Sequence, residues 1–320
     1  MIEELEGERR RLLAVAYRMT GTIADAEDIV QETYLRWYRL PDEERGAIEN
    51  PAAWLTRVAG RVALDHLGSA RMRRERYVGQ WLPEPVPADL FAGAGARAGA
   101  GAGAWTGALA GGGAATHSVT AAPAADDPLD RVTLDDSIRT ALLVVLESMT
   151  PAERVAFVLH DVFDVPFDDI ATIVGRSSAA TRQLAASARR HVREGRTSVV
   201  PKEEHDETVR AFLEASRSGD VLTLMRVLAP GVELRSDGGG VVSAARNVVV
   251  GTDNVARFLL GIASKQPGLR YEEVQTGDGL GFRILAGDAL SSIATFETAG
   301  GLITQVRLML NPAKLTQWRP

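Results

Sequence analysis

The stretch FAGAGARAGAGAGAWTGALAGGGAATHSVTAAPAA, residues 91–125, limits what this chain can fold into more than any other feature. It is almost devoid of large apolar side chains and shows no periodic stripe, so it cannot build a core of its own. Behaving as a Gly-rich linker, ~35 residues of this kind have an r.m.s. reach of about 30 to 35 Å. The chain is therefore parted into pieces that fold on either side. At 320 residues it has length for two or three domains, each with its own core.

Before the tract the pattern is helical. Leu5, Leu12, Val15, Ala16 and Met19 share one stripe over residues 2–19, and a second helix is expected over 24–39 after the break at Thr20 and Gly21. A third starts after Asn50 and Pro51, with Trp54, Leu55, Val58 and Val62 turned inward. After the tract, Ile138, Leu142, Val145, Leu146 and Met149 mark a helix over 135–149. Thr150, Pro151 and Glu153 then form a start signal: N-cap, first-turn proline and N3 acid. Phe167, Ile170, Ala171 and Val174 predict a short helix that Gly175 ends, and Ser177 or Ser178 caps the next, which runs to about His191. Helix, glycine turn, helix is the helix-turn-helix pattern.

From residue 205 the texture becomes mixed. Val209, Phe212 and Leu213, then Val221, Leu224, Met225 and Leu228, predict two helices, and Asn254 to Ile262 a third. VEL, NVVV, RYEEVQT, GFRIL, ALSSIATFET and LITQVRLML have strand composition. An α+β domain is expected here, its helices covering one curved antiparallel sheet.

Composition removes several kinds of chemistry. Zero cysteines exclude disulfides and thiol catalysis, and histidines at 66, 117, 160, 191 and 205 lack the paired spacing of a metal motif. Neither metal nor cofactor is expected. No apolar run reaches the ~20 residues that span a bilayer, and MIEELEGERRRLL lacks a signal-peptide core, so a cytoplasmic protein without membrane contact is expected. A net charge of −6 gives no general attraction to nucleic acid, so any such binding must come from local basic patches.

Two such patches stand out. In SSAATRQLAASARRHV, Leu184, Ala185, Ala188 and Val192 are expected to face the core, leaving Ser178, Thr181, Arg182, Arg189 and Arg190 outward. Placed in a major groove, Arg182 and Gln183 can read base edges while Ser178 or Thr181 holds phosphates. The second patch gathers Arg57, Arg61, Arg71, Arg73, Arg74 and Arg76 along the third helix, where Trp54 and His66 can stack on unpaired bases. An arginine run at a helix end is also an ordinary solvated C-terminus.

Against these stands an acidic stretch, ADAEDIVQETYLRWY at 24–38. Together with NPAAWLTRVAGRVALDHL and TPAERVAFVLHDVFDVPFDDIATIVGRSSAATRQLAASARRHV, it resembles domains two and four of extracytoplasmic-function sigma factors of RNA polymerase. The match covers about residues 5–80 and 130–195. The resemblance implies that Asp25, Asp28, Gln31, Glu32 and Tyr34 dock on the coiled coil of the polymerase's largest subunit, while domain four meets the flap. It implies that Asn50, Trp54, Arg57, Arg61, His66, Arg71, Arg73 and Arg74 grip the minus-ten promoter element. Ser177, Ser178, Thr181, Arg182, Gln183, Arg189 and Arg190 would read the minus-thirty-five element.

The motif WLPEP, Trp81, Leu82, Pro83, Glu84 and Pro85, narrows the likeness to the subgroup with a C-terminal SnoaL-like extension of the nuclear transport factor two superfamily. Its further signatures, DGGGK and NPDKL, appear here as Asp237, Gly238, Gly239 and Gly240 followed by Val241, and as Asn311, Pro312, Ala313, Lys314 and Leu315. Val241 and Ala313 depart from that pattern and put in doubt a charge pair that would hold the extension against domain two or the linker. The expected layout is domain two over 1–80, a linker over 81–130, domain four over 131–195, a short linker over 196–204 and the regulatory domain over 205–320. The implied function is promoter-specific initiation with core polymerase and promoter DNA as partners. The chain would act as a monomer, controlled in cis by the extension in place of a separate anti-sigma factor, and without covalent chemistry. Two rivals remain open at this point: a helix-turn-helix regulator that never joins polymerase, and a fused enzyme or ligand sensor.

Overall fold

A computed structural model describes residues 2–74, 77–91, 139–195 and 200–319, with side chains described outside 2–7 and 70–74. The chain forms two compact units, one built on Met1–Ala70 and Val145–Glu194, the other on Arg71–Leu90, Ile138–Val144 and Gly195–Pro320.

In the first unit α1 (Ile2–Thr20) and α2 (Ile23–Arg39) form an antiparallel hairpin. Gly21 turns the chain and the Thr22 hydroxyl accepts from the Asp25 amide, capping α2. A short α3 (Asp42–Gly46), which the apolar spacing does not signal, precedes α4 (Pro51–Arg74). Leu12, Val15, Ala16, Met19, Ile29, Val30, Trp37 and Leu55 are buried where these helices meet. After the tract come α5 (Thr140–Glu147), α6 (Pro151–Phe157), a π-turn over Val158–Val162, α7 (Phe167–Val174) and α8 (Ser178–Gly195). Thr150 and Glu153 make the full reciprocal capping box expected at α6. Gly175 closes α7 with φ of 65°, the left-handed cap that sets the turn into α8.

The two helical groups share one interior. Buried Arg154 donates to the Met19 carbonyl at 2.9 Å and to Glu147 at 2.7 Å. At Gly60 an added Cβ would lie 3.1 Å from Leu159 and 3.2 Å from Ile173, so α4 approaches the π-turn and α7 closely. Tyr17 packs on Phe91 with ring centroids 5.2 Å apart.

The second unit carries α9 (Lys202–Arg217), α10 (Val221–Arg226) and α11 (Thr252–Lys265) against strands β1 (Leu228–Asp237), β2 (Val249–Val250), β3 (Leu269–Thr276), β4 (Gly279–Ala286), β5 (Ala289–Ala299) and β6 (Leu302–Met309). The sheet order is β2-β1-β6-β5-β4-β3. It is mixed: β1 pairs with β6 in parallel, which corrects the expectation of a purely antiparallel sheet. The connection through β2 and α11 carries the chain to the far edge, and the β3–β6 meander returns it alongside β1 in the same direction.

Alternation in these strands gives the sheet two apolar faces. On one, Phe212, Phe282 and Phe296 meet with Leu234, Ala294, Val306 and Leu308 beneath the helices. On the other, Ile293 and Met309 bury Leu82, Leu315 and Trp318.

The regulatory domain was expected to begin at His205 after a linker over 196–204, but α9 already starts at Lys202, and His205 lies inside it and is buried. Its ring nitrogens face the Thr298 hydroxyl and the Leu280 carbonyl, each at 3.3 Å, a pairing suited to the neutral imidazole. Burial pushes its pKa below the ordinary value, against the backbone bond to Leu280 and the charges of Asp206 and Asp278, with Arg139 adding to the depression. The unfolded chain takes up a proton near 6.5 that the folded chain refuses, so this group's stabilisation is present above that pH and is lost below it. Urea unfolding of the full chain between pH 5 and 8 should show the mixed-sheet unit weakening on the acid side, by at most ~1.4 kcal/mol per pH unit. His205→Gln should flatten that acid-side slope; an unchanged slope would contradict the assignment.

Candidate functional site

The solvent side of α2 carries Glu27, Asp28, Gln31, Leu35 and Tyr38, while Ala26, Ile29, Val30, Thr33 and Trp37 face inward. Leu35 is 43% and Tyr38 60% exposed, so apolar surface sits beside the carboxylates. The five residues singled out in this helix are placed differently from one another. Asp28 and Gln31 are exposed. Glu32 pairs with Arg36 at 2.8 Å. Asp25 bonds His66 at 3.0 Å and the Thr22 hydroxyl at 2.7 Å, within its own helical group. Tyr34 is half-buried, its ring 6.4 Å from that of Tyr38, and burial with the charge of Glu8 pushes its hydroxyl up to about 12.

On α4, Asn50 supplies the cap by accepting from the Ala53 amide at 3.0 Å. Trp54 packs edge-on against buried Trp37. Arg57 lies 3.7 Å from Asp169, and Arg61 donates to the Ile173 carbonyl at 2.8 Å, so both are held by α7. Burial raises the Asp169 carboxyl, with Arg57 opposing it. His66 is engaged by Asp25. The side chains of Arg71, Arg73 and Arg74, like Arg76, lie outside the described residues.

On α8, Arg182, Gln183 and Arg190 are exposed, and so is Ser177, whose hydroxyl caps the Ala180 amide at 3.2 Å. The Arg182 guanidinium stands over the Phe167 ring. Thr181 does not face outward as expected. It is fully buried, its hydroxyl donating to the Ser177 carbonyl at 3.0 Å, because the first turn of α8 tips that side chain onto the helical core. The Ser178 hydroxyl is also buried, without a hydrogen-bond partner among the described residues. Arg189 is only partly exposed and bonds Asp161 at 2.5 Å. Arg176, in the turn before α8, is exposed beside this face and was missed because a lone arginine in a turn carries no periodic signal.

The most tightly connected cluster lies in the second unit, where the WLPEP, DGGG and NPAKL stretches meet. Asp237, the last residue of β1, is 0% exposed and Lys314 6% exposed; they pair at 2.8 Å. The Lys314 ammonium also donates to the Leu82 carbonyl at 2.6 Å. It stands 4.3 Å from the centre of the Trp81 ring and 5.2 Å from that of Tyr77. Asp237 in turn accepts from the Leu82 amide at 3.0 Å, the Gly239 amide at 2.9 Å and the Tyr77 hydroxyl at 2.5 Å. Burial and the Asp237 carboxylate drive the Tyr77 hydroxyl far above its ordinary pKa, so it remains a donor. Asn311 completes the ring by donating to Tyr77 at 2.9 Å.

Gly239 is required here. Its φ is +64°, and a Cβ would fall 2.5 Å from Asn311. Pro83, Glu84 and Pro85 are buried, and the Trp318 indole donates to the Pro85 carbonyl at 2.7 Å. Val241 and Ala313 are both exposed, and the ion pair present in this cluster is that of Asp237 with Lys314. Gly238 is buried, Gly240 touches Val78, and Pro312 opens the turn that aims Lys314 inward.

The segment 77–88, which leads out of α4, is thus bonded to the sheet. It continues along the β3–β4 turn: the Ala88 amide donates to Gln275 at 3.1 Å and the Gly277 amide to Val86 at 3.0 Å. The same turn receives the other end of the tract, since Asp278 accepts from the Thr140 amide at 2.7 Å and hydroxyl at 2.6 Å. No spacing rule in the sequence reveals that second anchor.

Among the described residues there is no helix long and apolar enough to cross a membrane and no acid or histidine group arranged for a metal ion.

Residues 5–73 match the family Sigma-70 region 2, and residues 139–192 match Sigma-70, region 4. The chain is 41% identical over 271 residues to "ECF RNA polymerase sigma factor SigJ" of Mycobacterium tuberculosis, covering 84% of this chain and 75% of that protein. It is 36% identical over 313 residues to "Probable ECF RNA polymerase sigma factor SigI" of the same species, covering 97% and 93%. The crystal structure of the Mycobacterium tuberculosis extracytoplasmic function sigma factor SigJ superposes with a TM-score of 0.68 at 32% identity, covering 99% of each chain. Two helical regions of the right kind in the right order, continued by a mixed α+β unit along the whole length of such relatives, make this chain a member of the extracytoplasmic-function sigma factors, which join core RNA polymerase and direct transcription from particular promoters.

Proposed function

We propose that this sigma factor is controlled in cis by its C-terminal unit, which holds both ends of the chain that joins regions two and four. The observation that carries the proposal is the bonding of residues 77–88 and Thr140 to one sheet, with the Asp237–Lys314 pair at its centre. Such a hold governs how the two DNA-reading regions are presented, and it does so within one chain. A separate anti-sigma protein is then not required, and the working form is a cytoplasmic monomer.

In this reading Asp28, Gln31, Leu35 and Tyr38 dock on the coiled coil of the largest polymerase subunit, carboxylates on basic residues and the apolar pair beside them. Asp25 and Glu32 shape that face from within. Ser177, Arg182, Gln183 and Arg190, with Arg176, meet the minus-thirty-five element. Arg57 and Arg61 serve the minus-ten element once α7 leaves α4, because both are bonded to α7 in the closed unit. The C-terminal unit performs no acid–base chemistry: neither Asp237 nor His205 lines its cavity, whose charged side chains are both arginines.

Two outcomes follow. Asp28→Lys should weaken binding to purified core polymerase by about tenfold, ~1.4 kcal/mol, while the melting temperature stays that of the parent; unaltered affinity removes α2 from the docking face. Lys314→Met leaves Asp237 buried without its cation and should weaken the hold on residues 77–88 by ~3–5 kcal/mol, while the double change Asp237→Asn with Lys314→Met recovers much of that loss. The readouts are proteolytic cleavage between 77 and 90 and run-off transcription with core enzyme. Parental cleavage and transcription in Lys314→Met, and in chains ending near residue 200, would end the proposal of control in cis.

A further inference from the structure

A cavity of about 840 Å³ lies in the second unit between α9, α10 and α11 and the sheet. Protein interiors are packed at crystal density, and voids larger than a water molecule are few. A space of this size therefore has to be kept open by its walls. It also falls in the range of ~300–1,000 Å³ that small-molecule sites occupy.

The walls restrict what fits. Phe212, Tyr271, Phe282, Phe296, Val306 and Leu308 make the lining largely aromatic and aliphatic. No Asp, Glu, His or Lys lines it, and its charged residues are Arg217, the last residue of α9, and Arg257, in the middle of α11. Arg257 places its Nε 2.9 Å from both carboxylate oxygens of Asp253. Arg217 uses one nitrogen on Glu214 at 3.2 Å, an exposed pair of the kind worth little. Tyr271 lines the same space, and burial pushes its hydroxyl above the ordinary value while the charge of Arg217 opposes that shift.

Two hydroxyls lining this space make no hydrogen bond to any described residue: that of Tyr271, and that of Ser292, which is 5% exposed and paired across the sheet with Ile284. Both hydroxyls open onto the cavity, so a molecule held there can reach them as donors. Apolar walls ask for an apolar body, free hydroxyl donors for an acceptor, and an arginine without a competing lining carboxylate for a negative charge.

We propose that the cavity is a binding site for an apolar monocarboxylic acid, whose hydrocarbon or aromatic body fills the Phe212–Phe282–Phe296 interior and whose carboxylate meets Arg217 and Tyr271. It is a holding site, since no general acid or base lines it. The inference stands apart from control in cis and from polymerase docking, and is tested without either.

Full-length protein is titrated with decanoate and with methyl decanoate, followed by calorimetry and by thermal shift. Decanoate should bind saturably and raise the melting temperature, and the ester should bind at least tenfold more weakly. Arg217→Gln should weaken decanoate about tenfold and leave the ester unchanged. Ala294→Phe and Ser292→Phe, which fill the space from β5, should abolish binding of both; two positions are used so that one misfolded variant, recognised by circular dichroism, still leaves a test. Absence of saturable decanoate binding overturns the site. Undiminished binding in a folded filled variant places the ligand elsewhere, and equal affinity for acid and ester overturns the carboxylate assignment.

Discussion

A fully buried carboxylate bonded to a nearly buried ammonium is the constraint around which the C-terminal unit is arranged. Asp237 and Lys314 are remote in sequence, and neither is tolerable alone away from water. The desolvation is offset only because every remaining donor and acceptor position is filled: two amides and a phenol on the carboxylate, a carbonyl and two aromatic faces on the ammonium. Since the Leu82 amide and carbonyl are among those partners, the pair cannot form fully unless residues 77–88 lie on the sheet. The same strands serve a second purpose on their other side. Ile293 faces Leu82 while its neighbours Ser292 and Ala294 face the cavity, so strap and cavity are separated by one layer of backbone.

In the helical unit the closing contacts are of another kind. Arg154 reaches the end of α1, and α7 takes up Arg57 of α4 with the Asp169 carboxylate and Arg61 with the Ile173 carbonyl. The two contacts of α4 with α7 are single bonds at partly solvated positions, each worth little by itself, beside an apolar seam at Gly60. A contact built this way can be exchanged for phosphates, which offer the same arginines a stronger and denser set of acceptors.

Much of this was legible in the sequence, and for identifiable reasons. The helix periodicities, the Thr150–Glu153 capping box and the Gly175 turn are local, so they predicted the helices of the sigma regions and the break before α8. The glycines of DGGG entered only as a family signature, and Gly239 adopts the positive φ that explains one of them. What failed depended on partners distant in the chain. Thr181 sits on the boundary of an apolar stripe, and a one-residue rotation of α8 decides whether it meets solvent or core. The start of α9 ahead of His205 was not legible because the bonds that fix His205 go to Leu280 and Thr298. The parallel pairing of β1 with β6 leaves no local mark, since both strands alternate as antiparallel ones do. The Asp237–Lys314 pair was not legible either, because its members lie far apart in the chain and neither motif names the other.

The two attachments at the β3–β4 turn have a consequence for how such chains change over generations. Val86 to Ala88 and Thr140 bind within three residues of one another, at Gln275 to Asp278, so the ends of the intervening stretch are set side by side by folded structure. For a flexible connection between ends fixed in this way, the closure cost grows by only ~0.6 kcal/mol for each doubling in length. Two anchors on one turn therefore tolerate connections of very different length, so a composition as repetitive as the glycine and alanine tract meets little thermodynamic penalty there.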